Sequence, residues 1–414
     1  MDKDIAGTLQ KQVEAESKSA LDDILREGAR RMLQAAVEAE VADYVEQHTA
    51  LSDPATGRRL VVRNGHQPER TIQSSLGDIP VCKPRVHDRR EGERFTSSIL
   101  PPYLRRTPAL EALIPLLYLK GVSTNAFPEA LSAILGENAS GLSASTISRL
   151  KEVWQGEHEQ WARRDLSTKR YVYWWADGIY FTVRLTPERP CLLVIVGTLE
   201  DGTKELVAIQ DGERESRLSW RELLRDLKRR GLAEGPALCV ADGALGLWSA
   251  LEEEFPKTRE QRCWVHKTAN VLDKMPKGVQ ASAKRLLHEM YLSATKAEAL
   301  EAYREFQTLY GAKYPKACQC LEKDTEVLFT FYDFPAEHWR HLRSTNPIES
   351  TFATVRHRSR QTKGCGSRAA TLAMVFKLAR EAEKSWRRLN GYELIEKVIR
   401  GVRFADGVEV QEAA

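Results

Sequence analysis

YVYWWADGIYFTVRL at residues 171–185 and PCLLVIVGTLEDGTKELVAIQ at 190–210 are aromatic and β-branched runs of strand length, broken by Gly and Asp turns. They predict three adjacent strands with the middle one buried. A helix is expected from about Ser219 to Arg230, then a short strand ALCVA at 237–241, then a helix from about Leu245 to Glu254. This is an α/β order. Asp177 and Asp242 each close a predicted strand and precede glycine, in WWADG and CVADG. Ligands of an open α/β sheet gather beyond the carboxyl ends of its strands, so two such acids would face one crevice.

Two carboxylates a few ångströms apart destabilise each other's charged form unless a proton or cation lies between them. A divalent cation with oxygen ligands answers that repulsion and leaves room for phosphate oxygens. Asp-Gly pairs are also common turn formers, so each acid has a purely local reading as well. A third acid, Glu349, sits in STNPIESTF, where Asn346 can cap a helix and Pro347 suits its first position. A glutamate there also fits a capping box. The helix it heads carries Arg356, Arg358, Arg360 and Lys363, cations suited to DNA phosphates.

Outward from this region, residues 267–340 are patterned almost wholly as helices. Toward the N-terminus, residues 21–48 form an amphipathic helix whose stripe suits either the core or a second subunit. Residues 49–70, rich in Pro, Gly and Arg, read as linker, and TIQSSLGDIPVCKPRV as a short hairpin. Three helical patterns follow, at 109–119, 124–135 and 144–154. The last exposes Ser145, Thr146, Ser148 and Arg149, side chains that suit a major-groove reader; plain three-helix packing fits the same pattern.

The 414 residues exceed one core, and no run approaches the roughly 20 apolar residues of a membrane span. MDKDIAGTLQ lacks a secretory pattern, so a cytoplasmic location is expected, with the seven cysteines reduced. The net charge is only +4, but residues 58–106 carry eleven Lys/Arg against five acids and residues 343–388 eleven against three. Such stretches can neutralise a phosphate backbone or simply form solvated faces.

WWADGIY, CVADG, FPKTREQRCWVHKTANVL and FPAEHWRHLRSTNPIES, in this order with RNGHQPERTIQSSLGDIPVCKPRV, GVST and GLSASTISRL before them, resemble the Mutator-type transposases of bacterial insertion sequences. The resemblance runs from about Leu21 to Trp386. It implies an α/β RNase H-like catalytic core interrupted by an all-α insertion and preceded by α-helical N-terminal DNA-binding and dimerisation domains. The expected segments are 1–50 (dimerisation helix), 51–105 (basic linker with a short β segment), 106–165 (helix-turn-helix-like), 166–266 and 341–400 (the two parts of the core), 267–340 (insertion) and 401–414 (flexible tail). Asp177, Asp242 and Glu349 align with the family's metal-binding triad, implying Mg2+, with Mn2+ as substitute, and cleavage and joining of double-stranded DNA at terminal inverted repeats by a homodimer.

Cys263 and His266 match the family's Cys-x-x-His signature; a supporting place in the core is expected for them, and no zinc. A zinc site with Cys318 and Cys320 and a phosphate-positioning role for His266 are the other readings. Trp339 stands where an aromatic could stack on a distorted base, or pack in the core. Ser350 and Thr351 follow Glu349, where many relatives have arginine. A non-joining RNase H-like nuclease and a catalytically silent DNA-binding regulator are the competing functions.

Overall fold

The computed structural model describes residues 2–107, 144–181, 191–212, 214–243, 245–349 and 367–411, with 110, 117, 352 and 353. The helical patterns expected at 109–119 and 124–135 lie essentially outside these residues. By contacts the chain divides into two compact units, Met1–Ile147 and Ser148–Ala414.

In the first unit, helix α1 (Asp2–Gln47) packs on short antiparallel strands. Strands β1 (Val61–His66) and β4 (Pro84–Asp88) pair, as do β2 (Arg70–Ser74) and β3 (Gly77–Val81). The β2–β3 hairpin was legible in the sequence, whereas β1 falls in what reads as linker. Val37 of α1, Ile72, Val81 and Leu100 form a small buried core. The Gln34 amide ties helix to sheet by donating to Cys82 O and accepting from Cys82 N, at 2.8 and 3.0 Å. Gly77 turns the hairpin at φ +96°, with the Arg26 guanidinium against it. Leu21, Ile24, Leu25 and Met32 of the same helix remain exposed within the chain.

The second unit begins within helix α2 (Ala144–Ala162) and is built on a five-stranded mixed sheet. Its strands are β5 (Tyr171–Tyr180), β6 (Cys191–Leu199), β7 (Lys204–Gly212), β8 (Leu238–Ala241) and β9 (Arg259–Arg262), in spatial order β7-β6-β5-β8-β9. The first three are antiparallel neighbours; β8 and β9 run parallel to β5. β6 is buried along almost its whole length, as its uninterrupted apolar run requires.

Helix α3 (Arg217–Arg229) starts where Ser216 caps the Ser219 N–H, and it buries Trp220, Leu223, Leu224 and Leu227, one face at 3.6-residue spacing. With α4 (Leu245–Glu254) it covers the sheet face that carries Trp174, Ala176, Leu193 and Ile195. On the other face, alternate residues of β5 meet a later segment: Tyr173 Oη bonds His338 Nδ1 at 2.8 Å and Trp175 Nε1 donates to His341 O at 2.9 Å. Helix α9 (Arg368–Glu383) lies against β7.

Strand β9, sequence REQR, was not expected. Its Gln261 is fully buried, but the amide donates to Leu328 O and accepts from Phe331 N, so a polar side chain occupies an interior position with its bonds satisfied. From there to Leu342 the described elements are all helical, including α5 (Trp264–Leu272), α6 (Lys277–Leu292), α7 (Lys296–Tyr310) and α8 (Pro315–Glu322). The stretch is closed at its base: Trp264 N donates to Arg343 O at 2.9 Å and Thr345 N to Cys263 Sγ at 3.3 Å. No helix among the described residues is long and apolar enough to cross a membrane.

Candidate active site

The register of the sheet sets the first two acids side by side. Ala176 of β5 pairs with Ala241 of β8, and Asp177 and Asp242 are the next residues on these parallel neighbours. Asp177 is not a strand end, as its Asp-Gly pair suggested. β5 continues to Tyr180 because β6 goes on pairing with it, Asp177 opposite Val194. Only β8 stops, so Asp177 stands beside the point where its parallel neighbour turns away. By strand alternation Asp177 shares the face of Tyr173 and Trp175.

Asp242 turns out through Gly243, at φ +85°. A Cβ at this glycine would fall 1.3 Å from an Arg262 guanidinium nitrogen, so the position needs glycine for both its backbone angle and its space. The local turn reading of Asp242-Gly243 is therefore correct as geometry, and it leaves the carboxylate beside Asp177. Burial, then the charge of Asp242, pushes the Asp177 carboxyl up to about 6; His266 opposes this and Glu349 adds to it. Three acids distant in the chain thus act on one point.

Glu349 reaches this site from a helix that starts one residue earlier than its sequence suggests. Thr345 precedes the first turn, and Glu349 N donates to Thr345 O at 3.0 Å. Glu349 is consequently the fourth helical residue, and no capping box forms. Thr345 N donates to Cys263 Sγ instead, and the Thr345 hydroxyl donates to Glu349 Oε1 at 3.1 Å.

Cys263 and His266 complete this network. Cys263 is fully buried where β9 ends, its N–H bonded to Ala241 O at 2.7 Å. His266 lies one turn along α5, with Nε2 3.7 Å from Glu349 Oε1 and Nδ1 3.4 Å from Thr345 Oγ1. Hydrogen bonding to Cys263 raises the imidazole to about 9, against burial and helped by the acids. Burial favours the neutral Cys263 thiol, yet hydrogen bonds from His266 and Thr345 bring it below its ordinary value. The ligand atoms of Cys263, His266 and Glu349 lie within 4.8 Å of one another. Cys318 and Cys320 sit on α8, outside this group.

A fourth acid, Glu215, was not singled out by sequence. It immediately precedes the Ser216 cap of α3, in the polar string ERES, where no spacing marks it. Its carboxyl is raised to about 7, by burial first and then by the charges of Asp242 and Asp177. Neither Asp177 nor Glu215 forms an ion pair with a Lys or Arg among the described residues.

Of the expected DNA-contact residues, the side chains of Arg149 and Trp339 are described. Arg149 is exposed on α2, the helix that also carries Ser145, Thr146 and Ser148. Trp339 is buried; its Nε1 donates to Phe334 O at 2.8 Å and its ring meets Phe331 and Tyr332 edge-on. That placement accounts for Trp339 by packing. Arg356, Arg358, Arg360 and Lys363, with Ser350 and Thr351, lie outside the described residues.

Residues 1–389 match the family described as Transposase, Mutator family. The chain belongs to this family. The transposase for insertion sequence element IS6120 of Mycolicibacterium smegmatis is 53% identical over 298 residues, 72% of this chain and 92% of the relative. That for IST2 of Acidithiobacillus ferrooxidans is 48% identical over 68% of this chain and 95% of the relative. The ISRM5 transposase of Rhizobium meliloti is 30% identical over 89% of this chain and 90% of its own length. This family membership directs the reading of the acidic site toward DNA.

Proposed function

We propose that this Mutator-family chain is an Asp-Asp-Glu transposase that binds the terminal inverted repeats of its insertion sequence and catalyses metal-dependent DNA cleavage and strand transfer. The β5–β8 register, which makes Asp177 and Asp242 neighbours with Glu349 in their field, is the observation that carries this reading. It fits an RNase H-like core, with the helical stretch between β9 and Glu349 as the family's insertion. The donor set suits a hard divalent cation: carboxylate oxygens, partly buried, in mutual repulsion and without an Arg or Lys partner at Asp177.

Asp177, Asp242 and Glu349 would hold Mg2+, or Mn2+ in its place, and the bound cations would stabilise the attacking and leaving oxygens of an in-line displacement at phosphorus. The chain's own part is to hold those carboxylates still. Cys263, Thr345 and His266 do so for Glu349, and the Gly243 turn does so for Asp242. Arg149 on α2 and the cations after Glu349 are assigned to DNA, and the exposed Leu21, Ile24, Leu25 and Met32 to a homodimer that pairs two ends in the cytoplasm.

The test is the full chain with duplexes ending in the element's terminal repeats. Strand cuts are expected with Mg2+ or Mn2+ and none with Ca2+ or chelator, and precut ends should join a second duplex. A footprint on the ends without cutting would make it a regulator; cutting without joining, a nuclease.

The network around Glu349 gives a finer prediction. Thr345→Val removes the hydroxyl that donates to Glu349 and leaves the shape of a buried side chain. A lost hydrogen bond of about 1 kcal/mol corresponds to roughly a five- to tenfold slower cut. Affinity for the ends, read by gel shift, should stay unchanged. An equal fall in affinity would place Thr345 in DNA binding instead.

A further inference from the structure

The two faces of β5 contribute differently to the site. Residues 173, 175 and 177 face the segment that leads to Glu349; residues 174, 176 and 178 face the layer of α3 and α4. At position 178 that second face has no side chain of its own. The Glu215 carboxylate fills the place, since a Cβ added to Gly178 would stand 2.6 Å from Glu215 Oε2 and 2.7 Å from its Cδ. A bare position beside Asp177 is therefore occupied by an acid delivered from the start of α3.

We propose that Glu215 is a fourth carboxylate of the same centre, holding divalent cation together with Asp177 and Asp242 from the α3 side of the sheet. This rests on the reading of Asp177, Asp242 and Glu349 as metal ligands. The arrangement is costly without a cation. Glu215 is partly buried in the field of two other acids and forms no ion pair with a Lys or Arg among the described residues. Ser216 already caps α3, so the helix start does not need this acid, and the Trp220 indole and the charge of His266 only partly offset its burial and the two neighbouring carboxylates. A hard cation with oxygen ligands turns the repulsion into attraction.

Glycine at 178 and glutamate at 215 then form one device. The glycine leaves the space, and the glutamate brings charge into it from an element remote from the other three acids.

The experiment is a titration of the full chain with Mn2+ alone, followed by calorimetry and by the rise in melting temperature. Glu215→Gln keeps the size and removes the charge; Mn2+ affinity is expected to fall about tenfold, and Glu215→Asp to recover part of it. Gly178→Ala keeps the charge but displaces it, and should weaken Mn2+ binding in the same direction. In chelator Glu215→Gln should melt no lower than the parent, which separates a metal role from a structural one.

Asp177→Asn and Asp242→Asn, run in parallel, separate loss of the fourth carboxylate's role from loss of the metal site itself. If they lose Mn2+ while Glu215→Gln binds within twofold of the parent, Glu215 is structural and the triad stands. If they too bind as the parent does, the metal reading fails, and Glu215 fails with it.

Discussion

Asp177→Asn is expected to slow metal-dependent cutting of element ends by about a thousandfold or more, while affinity for those ends stays within about twofold of the parent. The size of the effect follows from what a cation supplies. Charge stabilisation of several kcal/mol at the transition state corresponds to about three powers of ten in rate, and a neutral amide is a poor ligand for a hard cation. The same change should stabilise the metal-free protein.

Asp177 holds its proton up to about pH 6 in the folded chain, against an ordinary 3.8. Its charged form is thus disfavoured by folding. The parent keeps its full stability below about pH 4 and loses up to about 3 kcal/mol as pH rises through 6. Asparagine has no such loss. In chelator the variant should melt higher than the parent at pH 8, with the gap closing near pH 4, and added Mg2+ should raise the parent alone. A variant that cuts at the parent's rate would remove Asp177 from the chemistry.

The second large effect is expected at Gly243. Alanine there must adopt φ +85° and displace the Arg262 guanidinium, which is almost wholly buried and faces Asp324 at 3.4 Å. The backbone alone costs about 1–2 kcal/mol, and moving a buried cation adds to it. A fall in melting temperature of several degrees is expected, with cutting reduced at least a hundredfold because Asp242 is the adjacent residue. Shortening the obstruction in Gly243→Ala/Arg262→Ala would restore part of the cutting rate if the clash is the cause. No recovery, with melting unchanged in the single variant, would show the turn to be dispensable.

The sequence made the sheet legible where side chains carried the signal. β5, β6 and β7 are aromatic and β-branched, and the α3 stripe has an unambiguous helical period. β9 escaped because its interior residue is Gln261, whose burial depends on a carbonyl and an N–H about seventy positions away. No local pattern encodes such partners. β1 escaped because VVRNGH mixes strand formers with turn residues.

The same division holds for the acids. Asp177 and Asp242 repeat one local context, and Glu349 stands in a motif. Glu215 has only its fold to mark it: nothing in ERES says that a glycine elsewhere has left room for it. Cys263 and His266 are joined to Glu349 through Thr345, about eighty positions away, a link that no local pattern marks.

The hydrogen bonds that join Cys263 to Thr345 and Trp264 to Arg343 span residues about eighty positions apart, 82 in the first case. They act as a drawstring on everything between. With the neck held shut, adding or deleting helix at the far end changes closure entropy only with the logarithm of length, roughly 0.6 kcal/mol per doubling. The excursion can be resized or exchanged for a different one while Glu349 stays in position, so evolution can reshape what this lobe touches without moving the acid at its base.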